Sequence, residues 1–123
     1  MAISETARSF TLDDSLVRSV ALQDGKRKDI RVPYPAHVRV APFDGQNLPS
    51  FYTFRVVQGN DISSRGISFF APSHPEAESL VFMLGEYPEV IYIIGEVRHS
   101  RQGFFHRKLQ CIVGCEFVRK LSE

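Results

Sequence analysis

The feature that most constrains the fold is a strict alternation of apolar residues near the end of the chain. Leu109, Cys111, Val113, Cys115 and Phe117 occupy every second position of one segment. Successive side chains of a β-strand point to opposite faces, so this period of two predicts a strand that turns one apolar face to a core. Positions four apart in a strand lie about 13 Å apart, beyond the roughly 7 Å between Cα atoms that a disulfide allows. We therefore interpret both cysteines as small buried hydrophobes in a reducing compartment.

Several upstream segments share a composition rich in Val, Ile, Phe and Tyr. Turn residues such as Asp44-Gly45, Gly59-Asn60 and Gln102-Gly103 separate them. In chain order these segments are HVRVAPF, YTFRVVQG, GISFFAP, SLVFMLGE and VIYIIGEVRH. Short strands at close spacing favour a barrel or a sandwich, so we predict a mainly β fold with about six mostly antiparallel strands. In front of them, residues 11–23 predict a short helix whose apolar side is formed by Leu12, Leu16, Val17 and Val20.

Composition and charge exclude several functional classes. The 123 residues fit one domain, and 43% hydrophobic with 24% charged residues is ordinary for a globular protein. A net charge of +1 provides no global basic field for nucleic acid or an anionic membrane, so any site for a polyanion must be local. The start of the sequence lacks the pattern of a signal peptide, and no segment approaches the ~20 apolar residues of a membrane span. We therefore expect a cytoplasmic protein.

Motifs for catalysis and for metal binding are missing from the sequence. It contains neither a Gly-rich phosphate loop nor a GxSxG elbow. The four histidines and two cysteines lack the spacing of a zinc site. We predict no catalytic residue, no metal and no resident cofactor. Phe104-Phe105 beside a glycine belongs either to the core or to a small exposed docking patch, and the sequence leaves both open.

A basic segment, KRKDIR, contains the first candidate binding residues. It places Arg27 and Arg31 four residues apart, with Lys26 and Lys28 beside them. The planar guanidinium group of arginine fits phosphate and stacks on flat rings, which makes an anion-binding loop plausible chemistry. A solvated charged loop is the alternative interpretation.

A turn-like segment, DISSRG, contains the second set. The carboxylate of Asp61 can accept hydrogen bonds from the two kinds of N–H group on the Watson–Crick edge of guanine, and Ser63 adds a hydroxyl group. Gly66 permits a close approach to the backbone. An arginine is a favoured partner of the O6 and N7 atoms of guanine. The two segments together are complementary to a guanine nucleotide.

RKDIR followed by DISSRG resembles the paired RxxxR and (D/N)xSxxG signature of PilZ domains, which are bacterial receptors for cyclic di-GMP. The VGCEF segment at 113–117 is similar to the last barrel strand of that family. The resemblance covers residues 25–118, between an N-terminal extension at 1–24 and a short tail at 119–123. It implies a six-stranded antiparallel β-barrel of the split-barrel type, with the arginine loop folded over the ligand.

The resemblance also implies a role for each candidate residue. Arg27 and Arg31 would bind phosphate and the Hoogsteen edge of guanine, Asp61 and Ser63 would bind the other base edge, and Gly66 would allow the approach. Two residues are auxiliary candidates: Lys26 favours an intercalated ligand dimer, and Arg65 either contacts phosphate or, as favoured here, points to solvent.

The implied function is a receptor or adaptor that changes its surface on binding cyclic di-GMP and signals to a partner protein. One alternative is a PilZ-like interaction module without ligand binding. The other is a small barrel that binds single-stranded nucleic acid, which the near-zero net charge disfavours.

Overall fold

The computed structural model describes residues 30–85 and 88–121, which form seven strands. In chain order they are β1 (Val32–Pro33), β2 (His37–Pro42), β3 (Arg55–Ile62), β4 (Gly66–Ala71), β5 (Ser79–Leu84), β6 (Ile91–Phe105) and β7 (Lys108–Leu121). One turn of 3₁₀ helix, Phe51–Thr53, precedes β3. The predicted helix over 11–23 lies outside the described residues, as do Lys26 and Arg27.

Six of the strands close into an antiparallel barrel. Their order is β3-β2-β5-β6-β7-β4, and β4 pairs back with β3 to complete the circle. The predicted mainly β class and six-stranded antiparallel barrel are thus confirmed. The short strand β1 is an addition that the sequence did not indicate. It pairs Val32 with Ile62 and Pro33 with Asp61, on the stretch of β3 that β2 leaves uncovered.

Aromatic side chains fill the centre of the barrel. The ring of Phe82 packs edge to face against Phe69 and Phe117, with ring centroids 5.7 and 6.3 Å away. Edge-to-face contacts of this kind add to the stabilisation from burial itself. The aliphatic residues that surround these rings are Val38, Val40, Ile62, Ile67, Leu80, Leu84, Ile93 and Val113.

The alternating residues of β7 behave as predicted except at one end. Cys111, Val113, Cys115 and Phe117 are all buried. The prediction that Leu109 faces the core is wrong, because its side chain is 64% exposed. The reason is geometric: β4 pairs with β7 only as far as Cys111, so the strand continues beyond the end of the barrel. Both cysteines are free, and burial raises the pKa of Cys115 to about 12.

A second, smaller apolar cluster lies outside the barrel wall. Val81, Ile94 and Leu121 form it, and Phe43, Leu48 and Phe54 of the loop before β3 pack against it. Since β7 runs to Leu121, residues 119–121 of the expected tail belong to a strand and pair with β6.

Candidate functional site

A β-bulge in β3 assembles the first part of the site. Gly59 lies opposite Phe69 while Asp61 lies opposite Ser68, so Asn60 is an extra residue in the ladder. Such a bulge redirects side chains, and here Asn60 and Asp61 both reach Ser68. The amide Nδ2 of Asn60 donates to Ser68 Oγ at 3.0 Å, and that hydroxyl donates to Asp61 Oδ1 at 2.6 Å. This chain of hydrogen bonds fixes the carboxylate of Asp61.

The DISSRG segment continues from Asp61 as a tight turn between β3 and β4. The backbone N–H of Ser63 donates to Gly66 O at 2.9 Å, and the Ser63 hydroxyl oxygen accepts from the Arg65 N–H at 3.1 Å. Ser63 is 2% exposed. A Cβ atom on Gly66 would stand 2.2 Å from Cys115 O, so contact with β7 requires glycine at this position. The fold thus gives both residues a structural role.

Arg31 approaches this turn from the segment before β1. Its Nη1 atom lies 3.8 Å from Asp61 Oδ1, and the two side chains are 43% and 29% exposed. Because an ion pair at such exposure contributes little to stability, the guanidinium group can exchange partners at small cost. The two motif segments, which are thirty positions apart in sequence, therefore meet in space at Arg31 and Asp61.

A second bulge, in β6, contributes residues that the sequence motifs did not indicate. Val97 lies opposite Cys115 and His99 lies opposite Gly114, which makes Arg98 the extra residue. Val97 packs against the core, and the bulge then sends both following side chains to the outer surface. A Cβ atom on Gly114 would stand 2.3 Å from the His99 ring, so the glycine makes room for the imidazole.

Carboxylates hold the guanidinium group of Arg98 in position. Its Nε donates to Glu116 Oε1 at 2.8 Å, and its Nη2 lies 3.1 Å from Glu96 Oε1. Both carboxylates are on strands adjacent to the bulge, one on β7 and one on β6 itself. Arg98 is therefore paired with two carboxylates, whereas Arg31 has one longer contact, to Asp61.

These elements enclose a surface pocket of about 360 Å³. Its lining residues are Arg31, Ser63, Arg65, Gly66, Arg98, His99, Gly114, Cys115 and Glu116. Three guanidinium groups and one imidazole face a single carboxylate, so the pocket suits an anion with flat polar parts. Arg65 is exposed and lines the pocket.

The structure thus brings three of the five predicted ligand-binding residues into one pocket: Arg31, Ser63 and Gly66. Asp61 lies beside it through its ion pair with Arg31. Arg27 and Lys26 lie outside the described residues. Sequence reasoning missed Arg98 and His99 as site residues, because the bulge that directs them is visible only in the strand pairing and not in the pattern VIYIIGEVRH.

Comparison with known proteins yields no relative for this chain: no protein-family model, curated protein or solved structure matches it. Within residues 30–85 and 88–121, no group of three or more His, Cys, Asp or Glu side chains could hold a metal ion. The same residues include no helix with the length and hydropathy needed to cross a membrane.

Proposed function

We propose that the chain is a cytoplasmic, non-catalytic receptor of the PilZ type that binds cyclic di-GMP in the pocket between the DISSRG turn and the β6 bulge. The observation that carries the proposal is the meeting of two separate motif segments, through Arg31 and Asp61, beside one basic pocket. Neither segment alone would be persuasive, because charged loops and Asp-Ser turns are common at protein surfaces.

The phosphate groups are assigned to the arginines. Arg31 has one exposed ion pair, with Asp61 at 3.8 Å, and Arg65 is exposed beside the pocket. A bidentate contact to phosphate oxygens is among the stronger hydrogen-bonded interactions, so either group can gain by binding phosphate. Arg27 and Lys26 precede Arg31 by four and five residues and would add to the same field. In this proposal, Lys26 favours an intercalated pair of ligand molecules.

The guanine base is assigned to Asp61 and Ser63. The carboxylate of Asp61 is oriented by Ser68 and can accept from both kinds of N–H group on the base. Its weak pairing with Arg31 provides a simple route to binding, since the arginine can leave for a phosphate while the carboxylate, still held by Ser68, accepts from the base. Binding would thereby order the arginine segment and change the surface offered to an effector protein.

Isothermal titration calorimetry with cyclic di-GMP tests the proposal. We expect the wild-type chain to bind at low micromolar concentration, and Arg31→Ala to weaken binding by about tenfold or more, as loss of a charge-assisted hydrogen bond implies. Arg55→Ala is the matched control, because Arg55 is an exposed arginine at the opposite end of β3 from Asp61. It should bind as the wild type does.

Cyclic di-AMP separates base recognition from general anion binding. Adenine presents neither the ring N–H nor the O6 atom of guanine, so the proposed contacts predict much weaker binding. Lack of measurable binding of cyclic di-GMP, or equal binding by wild type and Arg31→Ala, would refute the proposal. A gel shift with single-stranded DNA and RNA at two salt concentrations examines the nucleic-acid alternative.

A further inference from the structure

The β6–β7 hairpin extends beyond the barrel. On one side β5 pairs with β6 only up to Glu96, and on the other β4 pairs with β7 only from Cys111 onward. Residues 104–109 therefore have no strand neighbour in the sheet except each other. A two-stranded hairpin end of this kind needs side-chain contacts with the rest of the protein to hold it in one position.

Side chains on one face of the hairpin provide these contacts. The Phe105 ring packs against Phe70, with ring centroids 5.2 Å apart, and His106 packs edge to face on Phe70 at 4.7 Å. The side-chain amide of Gln110 donates to Phe105 O at 2.9 Å. These contacts attach one face to the barrel wall, and within residues 30–85 and 88–121 no ring contact is seen on the opposite face.

The opposite face carries an apolar pair. Phe104 and Leu109 lie directly opposite each other in the ladder and are 71% and 64% exposed. The structure thus separates the Phe104-Phe105 dipeptide, whose second ring packs while the first remains in solvent. Two large apolar side chains side by side at a projecting tip are costly to leave in water.

Positive charge lies close to this pair, in the turn and on the opposite face of the hairpin, where Lys108 pairs with Phe105 and the Arg101 guanidinium group lies 5.5 Å from the centre of the Phe105 ring. The chain contains no Asp or Glu between Val97 and Cys115, and Arg101, Arg107 and Lys108 lie at or near the tip. Since the whole chain has a net charge of only +1, this concentration is local. A projecting tip that carries an apolar pair and several cations is complementary to an anionic partner with an apolar interior.

The turn of the hairpin is itself strained. His106 and Arg107 have φ angles of 53° and 67°, in the left-handed region that a two-residue turn of this type normally fills with Asn-Gly. Non-glycine residues there are unfavourable locally and are often found where function requires a particular side chain. Here the left-handed pair places Arg107 in the two-residue turn that ends the hairpin.

We propose that this tip is a docking site for the surface of an anionic lipid bilayer. Phe104 and Leu109 would enter the headgroup boundary, and Arg101, Arg107 and Lys108 would contact the lipid phosphates and carboxylates. A second copy of the chain is disfavoured because the same cations would face each other. A stable protein interface needs about 1,200 Å² or more of total buried surface, which two exposed side chains do not approach.

Sedimentation of the full-length chain with vesicles tests the site. We expect binding to vesicles of phosphatidylcholine and phosphatidylserine mixed at about two to one, little binding to phosphatidylcholine alone, and loss at high salt. Arg107→Gly with Lys108→Gln should weaken binding by about fivefold or more per cation removed. Phe104→Thr with Leu109→Thr, which keeps β-forming residues, should weaken it similarly.

Matched controls separate the tip from the rest of the molecule. Lys120→Gln removes an exposed lysine at the other end of β7, and Phe51→Thr with Tyr52→Thr removes two exposed aromatics elsewhere. Both should bind vesicles as the wild type does. Lys26, Arg27 and Lys28 remain in every variant, so a loss of binding in the tip variants cannot come from the removal of those basic residues. The proposal is overturned if vesicles are not bound, if neutral vesicles bind equally, if the tip variants bind normally, or if the controls lose binding to the same extent.

Discussion

The imidazole ring of His99 occupies the space above the α-carbon of Gly114, where a Cβ atom would stand 2.3 Å from both Cε1 and Nε2. On the neighbouring strand β4, a Cβ atom on Gly66 would stand 2.2 Å from the backbone oxygen of Cys115. The two distances are similar, but the obstructing groups differ: a His99 side chain at Gly114 and a backbone carbonyl at Gly66. An exposed side chain can rotate, but a backbone carbonyl in a closed barrel cannot move without its strand.

Gly66→Ala and Gly114→Ala should therefore differ sharply. We expect Gly66→Ala to lower the free energy of unfolding by about 2 kcal/mol or more, because β4 must separate from β7. Gly114→Ala should change it by about 0.5 kcal/mol or less, since the His99 ring can turn away. Urea denaturation of both variants measures the difference. Similar losses in the two variants would contradict the assignment of the obstacles.

Gly114→Ala should nevertheless alter the pocket. Displacing His99 changes the lining of the pocket that Arg31 shares, so we expect a shift of the His99 ring resonances and weaker binding of cyclic di-GMP with an almost unchanged melting temperature. Ring resonances assigned by NMR, followed by calorimetry, report the two effects separately. If the resonances shift while affinity is retained, His99 lies outside the ligand contact surface.

Ser68→Ala should weaken both stability and binding. Ser68 is 5% exposed and connects Asn60 to Asp61 through its hydroxyl group. Removing a hydrogen bond to a charged group costs about 1.5–3 kcal/mol, and the freed carboxylate would no longer be held in its position beside Arg31. Ser73→Ala, at an exposed loop position, is the control. Ser68→Ala should show a lower melting temperature and weaker ligand binding than Ser73→Ala. Equal melting temperatures and affinities in the two variants would show that Ser68 does not support the site.

The sequence predicts those features of the fold that follow from the conformation of a single strand. The alternation around Val113 predicts a core-facing strand because the period of two follows from the pleat of any strand. Neither bulge is predictable in this way, since one inserted residue, Asn60 or Arg98, leaves composition unchanged and shifts only the pairing. Asp61 was predicted because it belongs to a sequence motif. The place of His99 in the pocket depends on the pairing of β6 with β7, a register that only the closed barrel defines.

The exposure of Leu109 illustrates a second limit. Its place in the alternation is as regular as that of Cys111, yet a core exists only where a neighbouring strand completes it. The length of β4, which ends at Ala71, decides which residues of β7 become interior. This is a tertiary relationship between two strands distant in sequence, and the pattern of either strand alone does not contain it.

Cys115 should be unreactive and should make stability depend on alkaline pH. Burial raises its pKa from 9.0 to about 12, so the folded state keeps the proton that the unfolded state releases. This contribution is complete below pH 9 and is lost as the pH rises from 9 toward 12. We expect no reaction with a thiol reagent at pH 8 until denaturant is added. Cys115→Ala should start less stable and lose less stability over that pH interval, whereas rapid labelling of the native thiol would contradict its burial.

His106→Asn with Arg107→Gly should make the protein more stable while reducing its affinity for anionic vesicles. Asn-Gly relieves the left-handed strain at both turn positions, a gain of about 1 kcal/mol or more, partly offset by the loss of the His106 contact with Phe70. The guanidinium group at the tip is lost at the same time. Melting temperature should therefore rise as vesicle binding falls, a combination that unfolding cannot produce. A lower melting temperature, or a stabilised variant that still binds vesicles fully, would show that the strained turn serves the fold instead of the proposed lipid contact.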